Sequence, residues 1–213
     1  MPLFYKYTEG DRAELSLWEL EEPEVWFLER LQLSHAEELQ FSEIKGHRRV
    51  EWLSVRYLMS QMLGAQAGPI LKDEFGKPYL VHLPLHISIS HSHKKAAAMV
   101  AKDLAGIDIQ KLVEKIERIA HRMMRKEELE SLEAKSRLEH LHVYWGAKEC
   151  LYKAYGRRAL DFCSHIFIEP FSFDPTVGKA KGRVLKDSFD VFFDIYYRQI
   201  EDYMLVYALK TAD

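Results

Sequence analysis

The segment AGIDIQ, residues 105–110, carries an acidic and an amide side chain that could bind a metal ion. In a β-strand, Asp108 and Gln110 would point to one face together with Gly106, while the apolar residues between them point to the other. Carboxylate and amide oxygens are suitable ligands for Mg²⁺, and the glycine is expected to leave space for a bound molecule. The alternative is a strand end whose polar side chains are simply solvated.

The segment HISISHSHKK, residues 86–95, predicts a strand followed by a polar turn. Ser88 and Ser90 lie on one face of the strand, and His91 begins a turn whose hydroxyl, imidazole and ammonium groups, near free backbone N–H groups, could bind phosphate. An ordinary polar hairpin loop would have the same composition. A zinc site through His91 and His93 would need a third ligand, and the chain has no HExxH or CxxC motif.

The segment WGAKECLYKAYG, residues 145–156, predicts an amphipathic helix that ends at its glycine. Glu149 and Lys153 lie four residues apart and therefore share one side of the helix. Such a pair is either an ordinary surface ion pair or the edge of an active site. The predicted core-facing residues are Ala147, Cys150, Leu151 and Ala154.

The segment FGKPYL, residues 75–80, contains a lysine held next to a proline. Pro78 restricts Lys77 to an extended or turn backbone and removes a backbone donor, which argues against a central strand. A lone hairpin lysine of this kind is most often only solvated.

The segment HRRVEWLSVRYLM, residues 47–59, predicts a long helix with arginines near one face. Arg49 and Arg56 are seven residues apart, with Arg48 adjacent, and arginines can bind phosphate through two parallel hydrogen bonds. These side chains could equally be solvated or paired with Glu43 and Glu51.

The order of strands and helices along the chain indicates an α+β fold, because the two do not strictly alternate. Turn residues in Glu-Phe-Gly-Lys-Pro predict a hairpin. The predicted elements are strands at 2–10 and 13–22, a short helix near Glu24–Leu31, a long helix ending near Leu63, a hairpin at 70–81, strands at 86–90, 96–101 and 105–110, helices within 115–155 and strands after Phe162.

An internal similarity suggests that the chain contains two related halves. The segments 37–64 and 127–156 both open with Glu-Glu-Leu and both close with a glycine suited to end a helix. We therefore predict two similar αβ halves, residues 1–110 and 111–213, with the active site at their interface.

Composition narrows the class of protein. The 213 residues carry 30 basic and 33 acidic side chains, a formal charge of −3, which disfavours a nucleic-acid partner. The N-terminus lacks a signal-peptide pattern, and no apolar run is long enough to span a membrane. Two cysteines without zinc-site spacing suit a reducing compartment. We therefore expect a cytoplasmic protein without a membrane partner.

The order of these segments is more specific than any one of them. FGKPYL, SISHS, AGIDIQ and WGAKECLYKAYG together resemble the 4′-phosphopantetheinyl transferase superfamily, in particular its surfactin-synthetase-activating type. The signature of that family is a GKP turn, a strand ending in Ser-His-Ser, a G-[IV]-D-x-E strand and a helix reading W-x-x-K-E-x-x-x-K. The resemblance spans Gly76–Lys153, and two helical arginines, Arg48 and Arg56, also match the family in their spacing.

The resemblance implies two αβ halves with pseudo-twofold symmetry and a Mg²⁺-dependent activity, with Mn²⁺ as another possible ion. The implied reaction transfers phosphopantetheine from coenzyme A to a serine of an acyl or peptidyl carrier protein, which is holo-acyl-carrier-protein synthase activity. Asp108, Glu149 and Gln110 are the implied metal ligands, with Asp108, Glu149 and Lys153 catalytic. The implied contacts of coenzyme A are Arg48, Arg56, Lys77, Ser90, His91 and Lys153.

Two residues depart from the family pattern: Gln110 stands where glutamate is frequent, and Ser88 where asparagine is common. These departures keep open a non-catalytic homologue that binds coenzyme A or a nucleotide. A metal-dependent hydrolase using His91 and His93 is a third hypothesis. Since family carrier proteins are acidic, we expect a basic or apolar docking patch, and two fused halves favour a monomer.

Overall fold

A computed structural model describes residues 3–212 of the chain, which form two compact units that are divided between Asp103 and Leu104. The strand Ala105–Lys111 therefore belongs to the second unit, whereas the sequence analysis placed residues 105–110 in the first half. The physical reason is its pairing, because Ile109 lies opposite Leu205 in a sheet made only of second-unit strands. Pro2, where the first predicted strand began, lies outside the described residues.

The first unit packs helices on a four-stranded antiparallel sheet of order β1-β2-β6-β5. A separate two-stranded hairpin, β3-β4, contains Pro78 and agrees with the expectation that this segment is not a central strand. The elements are β1 Leu3–Glu9, β2 Ala13–Glu19, α1 Glu24–Leu28, α2 His35–Ser42, α3 Arg48–Leu63, β3 Ile70–Lys72, β4 Pro78–Leu80, β5 His86–Ser92 and β6 Lys95–Ala101.

The predicted long helix ending near Leu63 is α3, Arg48–Leu63, and the shorter helix α2 precedes it as a separate element. The chain leaves α2 at Glu43 and passes through Gly46, whose φ of 64° a glycine adopts without steric cost. Helix α2 starts at a capping box in which Ser34 and Glu37 bind each other's backbone N–H groups. Helix α3 then packs its apolar residues, Leu53, Leu58 and Met59 among them, on β2 and β6.

The second unit packs one long helix on a five-stranded antiparallel sheet of order β7-β11-β10-β9-β8. The predicted core side of that helix is confirmed, since Ala147, Cys150, Leu151 and Ala154 are fully buried. The elements are β7 Ala105–Lys111, α4 Ala120–Met123, α5 Lys126–Glu130, α6 Arg137–Tyr155, β8 Ile166–Ile168, β9 Gly178–Lys186, β10 Phe189–Ile200 and β11 Tyr203–Lys210.

The two sheets share part of their connectivity. In each unit the first of three strands, β2 or β7, pairs with the last, β6 or β11, which pairs with the strand before it. Both final hairpins turn through two residues, and the first of these, His93 or Glu201, has a positive φ. The prediction of a mixed αβ protein is confirmed. Among the helices of residues 3–212, none combines the length and apolar character needed to cross a bilayer.

Candidate active site

Helix α6 lies directly against strand β7 because the strand has a glycine at the point of contact. A Cβ atom on Gly106 would collide with the backbone carbonyl of Cys150. Gly146 on the helix is similarly close to the sheet, with Val206 Cγ2 2.6 Å from where its Cβ would be. The expectation that Gly106 leaves space for a ligand is therefore wrong, because the helix backbone occupies that space.

This close packing brings Asp108 and Lys153 together. Lys153 Nζ lies 2.8 Å from Asp108 Oδ1 and donates a second hydrogen bond of 2.8 Å to the carbonyl of Ile107. The Asp108 side chain is 10% exposed and that of Lys153 is 26% exposed. Asp108 is thus a buried carboxylate with a cationic partner, not the solvated strand end considered as the alternative.

Glu149 lies half-buried on the same helix, within electrostatic reach of Asp108. Burial raises the pKa of the Glu149 carboxyl and the charge of Asp108 raises it further, while Lys153 opposes both effects. Burial on its own would lower the pKa of Lys153, but the surrounding negative charge, led by Asp108, leaves that pKa raised. Two carboxylates and one ammonium therefore form one electrostatic group.

Gln110, on the same face of β7 as Asp108, is held against α6. Its Nε2 donates a 2.9 Å hydrogen bond to the carbonyl of His142. The His142 ring lies 2.8 Å from the Leu138 carbonyl through Nδ1 and accepts a 3.2 Å bond from the Val113 N–H through Nε2. His142 therefore fixes the end of β7 to the helix, a role that the sequence analysis missed.

The oxygens of Asp108, Glu149 and Gln110 fit a hard divalent cation such as Mg²⁺. The amide nitrogen of Gln110 is engaged with the helix, which leaves its oxygen as the atom able to reach an ion. Residues 3–212 hold no group of three or more His, Cys, Asp or Glu side chains that could bind a metal. The zinc hypothesis for His91 and His93 thus lacks its third ligand within this range.

A cleft of about 370 Å³ in the first unit brings together three of the predicted coenzyme A contacts, Arg48, Arg56 and His91. His91 Nδ1 lies 3.3 Å from Glu51 Oε2, so this imidazole is held at the wall of the cleft. The lining residues are Ile44, Arg48, Glu51, Trp52, Val55, Arg56, Ile70, Lys72, Pro78, Ile89 and His91.

The arginines of α3 have partners that the sequence spacing did not indicate. Arg49 binds Glu24 through two hydrogen bonds of 2.7 and 2.8 Å. Arg56 is buried, pairs with Glu37 at 3.0 Å and stacks over the Trp52 ring. Burial lowers the pKa of Arg56 to about 10, while the charge of Glu37 opposes this shift. Arg49 and Arg56 therefore pair with Glu24 and Glu37 and not with the alternative partners Glu43 and Glu51.

Lys77 and Ser90 lie outside the described lining of this cleft. Ile89 and His91 face the cleft from β5, so Ser90 between them points to the opposite face of the sheet, where it is buried. Lys77 is in the β3–β4 hairpin, whose backbone is closed by Asp73. Burial lowers the pKa of the Lys77 ammonium, and Asp73 opposes the shift.

Comparison with known proteins identifies relatives of the chain. A sequence model of the 4′-phosphopantetheinyl transferase superfamily matches residues 105–208. The 4′-phosphopantetheinyl transferase gsp of Aneurinibacillus migulanus is 31% identical over 110 residues, 49% of this chain and 46% of that protein. A 4′-phosphopantetheinyl transferase of Bacillus subtilis is 34% identical over 89 residues, 40% of each protein. The chain thus spans less than half the length of these curated relatives.

Proposed function

We propose, on the premise that residues 105–208 of this chain belong to the 4′-phosphopantetheinyl transferase superfamily, that the protein transfers phosphopantetheine from coenzyme A to a carrier-protein serine. The serine oxygen forms a bond to the phosphorus that bears the pantetheine group. The pyrophosphate P–O bond breaks, and adenosine 3′,5′-bisphosphate leaves with that electron pair. The serine proton must go to a base.

The observation that carries this proposal is the group formed by Asp108, Glu149 and Lys153. All three sit at the contact between β7 and α6, with Lys153 hydrogen-bonded to Asp108 at 2.8 Å. The two carboxylates are close enough for the charge of Asp108 to raise the pKa of Glu149. A divalent cation would offset this mutual repulsion, which is the electrostatic reason to assign Asp108 and Glu149 as its ligands.

Mg²⁺, or Mn²⁺ in its place, would neutralise the negative charge that develops on the pyrophosphate. Asp108 and Glu149 would hold the ion, and the oxygen of Gln110 would complete the protein ligands. Lys153 would stabilise the charge of the phosphate under attack, since a buried ammonium is a strong electrostatic group. Glu149 would accept the serine proton, either directly or through a water molecule.

We assign the binding of the adenine nucleotide to the cleft of the first unit. Arg48 is an exposed guanidinium and His91 an exposed imidazole on the wall of this cleft, and both groups are suited to bind phosphate. Arg56 contributes from a buried position, already paired with Glu37. Lys77 and Ser90 remain proposed contacts on the strength of the family motifs that contain them.

The partner we propose is an acyl or peptidyl carrier protein, modified in the cytoplasm by a monomeric enzyme. The second candidate function is coenzyme A or nucleotide binding without transfer. Gln110 favours that alternative, because an amide gives the metal site less negative charge than a glutamate would.

Transfer is tested by incubating the protein with coenzyme A, Mg²⁺ and several apo carrier proteins, then measuring intact masses. We expect a mass gain of one phosphopantetheine group on at least one carrier. The matched control is Asp108→Asn, which should bind coenzyme A in calorimetry but leave the carrier unmodified. Coenzyme A binding by the wild-type protein with no adduct on any carrier would support the second candidate instead.

A further inference from the structure

Lys148 is a fully buried cation next to Glu149 that the proposed chemistry does not use. Its Nζ lies 2.9 Å from Glu128 Oε2 and donates to the carbonyls of Phe162 at 2.9 Å and Ile166 at 3.1 Å. Lys148 is 0% exposed and Glu128 is 1% exposed. Three oxygens therefore surround the ammonium and hold one side of α6 in place.

Glu128 connects three elements through its two carboxylate oxygens. Besides the ion pair with Lys148 on α6, Oε2 accepts a 2.8 Å hydrogen bond from the Arg125 N–H at the start of α5. Oε1 accepts a 3.1 Å bond from the Ile168 N–H of β8. The carboxylate thus fixes α6 relative to a helix start and to the edge of the sheet.

The first unit contains a similar arrangement of a buried carboxylate, a helix start, a strand and a buried cation. Glu37 accepts from the Ser34 N–H at the start of α2 and from the Ile70 N–H of β3. Its ion-pair partner is Arg56 on α3, which also donates 2.9 Å to the carbonyl of Ile70. Both cations lie eight residues before the glycine that ends their helix, Gly64 and Gly156. Both glutamates stand three residues after the residue that caps their helix, Ser34 or Arg125, although Glu37 is the first glutamate of its Glu-Glu-Leu segment and Glu128 is the second.

The two buried ion pairs fix the orientation of different functional residues. Successive residues of a helix are about 100° apart around its axis, so a fixed Lys148 also sets the direction of Glu149 and the following turn. On α3, a fixed Arg56 sets the face that presents Arg48 and Glu51 to the cleft. Glu37 itself is not among the described residues that line the cleft.

We propose that the ion pairs Glu128–Lys148 and Glu37–Arg56 are positioning pairs, and that each orients a different set of functional side chains. The second-unit pair directs Glu149 and Lys153 towards Asp108, and the first-unit pair orients the helix face that binds nucleotide. An apolar pair would fill such a space at less desolvation cost, so stability alone does not explain two buried ion pairs. The assignment of these two roles rests on the proposed function.

The test compares the matched isosteric variants Glu128→Gln and Glu37→Gln. Each keeps the shape of the side chain but removes the charge that orients the buried cation. Three quantities are measured for each variant: Mn²⁺ binding by electron paramagnetic resonance, coenzyme A binding by calorimetry, and kcat of transfer at saturating coenzyme A. Circular dichroism checks the fold.

For Glu128→Gln we expect Mn²⁺ binding and kcat to fall about 10-fold, as for other residues that orient metal ligands, with the Kd of coenzyme A unchanged. For Glu37→Gln we expect weaker coenzyme A binding with Mn²⁺ binding and saturated kcat unchanged. Parallel losses of all three quantities in either variant, or no change, would overturn the proposal.

Because removing one partner of a buried ion pair can unfold a protein, a neutral double variant of the second-unit pair is included. It combines Glu128→Gln with Lys148→Met and should reproduce the selective loss of Glu128→Gln. The Mn²⁺ arm does not depend on transfer. A wild-type protein that binds Mn²⁺ but modifies no carrier would refute the proposed function while the positioning pair is still tested by its effect on Mn²⁺.

Discussion

The two units place different chemistry on the same framework of strand and helix. Ser16 on β2 pairs with Ala98, which lies three residues after the start of β6. Asp108 on β7 pairs with Val206, which likewise lies three residues after the start of β11. Ser16 therefore holds the position of Asp108. At this position the first unit has a small buried hydroxyl where the second unit has a carboxylate.

The residues around this position are aromatic in the first unit and polar in the second. In the first unit, Trp18 packs edge-to-face on Tyr57 of α3 with ring centroids 5.1 Å apart. The matching positions of the second unit hold Gln110 and Glu149, since Tyr57 and Glu149 each precede the helix-ending glycine by seven residues. An aromatic pair fills the space in one unit and polar groups fill it in the other. Polar groups in a packed contact are costly unless they are paired or bind a ligand, which indicates a functional site.

Loss of either carboxylate should produce the largest effect. We expect Asp108→Asn and Glu149→Gln each to lower kcat of transfer about 100-fold or more, since each removes a charge proposed to hold the metal ion and Glu149→Gln also removes the proposed proton acceptor. The carrier modification rate measures this directly. Tyr57→Phe, at the position that matches Glu149, should leave the rate unchanged, and an equal loss there would show that the two units do not divide the work as proposed.

Removal of the ammonium of Lys153 should have the next largest effect. Lys153→Met should lower kcat by about 10-fold to 100-fold and change the Kd of coenzyme A less, because the charge acts mainly on the transition state. Kinetics and calorimetry separate the two quantities. The first-unit control is Gln61→Met, an exposed side chain three residues before Gly64, which should change neither. A loss of binding equal to the loss of kcat would assign Lys153 to ground-state binding.

The close approach of α6 to β7 should depend on Gly106. Gly106→Ala should lower the free energy of unfolding by about 1–3 kcal/mol, because the added methyl group forces the Cys150 backbone away from the strand. Urea denaturation measures the change. Glu14→Ala changes the matching position of β2, where a long side chain is already present, and should cost less. Equal losses of stability in Gly106→Ala and Glu14→Ala would mean that β2 and β7 leave the same space for a side chain at this position.

Gln110→Glu should distinguish the hydrogen bond of this side chain to the His142 carbonyl from its proposed contact with the metal ion. The new carboxylate loses the N–H that bonds to the His142 carbonyl, which should cost about 1 kcal/mol of stability. Its added charge should tighten Mg²⁺ binding several-fold if the side chain oxygen reaches the ion. Mg²⁺ titration of the transfer rate is the measurement. An unchanged Mg²⁺ dependence would assign Gln110 to holding β7 against α6 and not to the metal.

The smallest expected effect concerns His140, a buried residue of α6 at the position where α3 has the exposed Arg48. Burial lowers the pKa of His140 below its usual 6.5, with Glu133 opposing the shift. The unfolded chain therefore binds a proton more readily, and stability should fall as pH drops below about 6.5. His140→Phe should reduce this pH dependence in denaturation curves at pH 5.5 and 7.5. An unchanged pH dependence would mean that another group titrates.

Local patterns in the sequence were sufficient for most elements and for the faces of β7 and α6 on which their polar residues lie. Period-two alternation in AGIDIQ and helical spacing in WGAKECLYKAYG predicted β7, α6 and the sides on which Asp108 and Glu149 lie. The unit boundary was misplaced because strand pairing between Ile109 and Leu205 joins residues far apart in the chain.

The sequence by itself determined which residues face the same side of each element, since that depends only on the repeat of a strand or a helix. Tertiary structure alone decided the partners. Lys153 pairs with Asp108, 45 residues away, rather than with Glu149 one turn away, and Arg56 pairs with Glu37. Such choices follow from how closely helix and strand backbones approach. Small side chains such as Gly106 allow that approach, but its result exists only after both elements have packed.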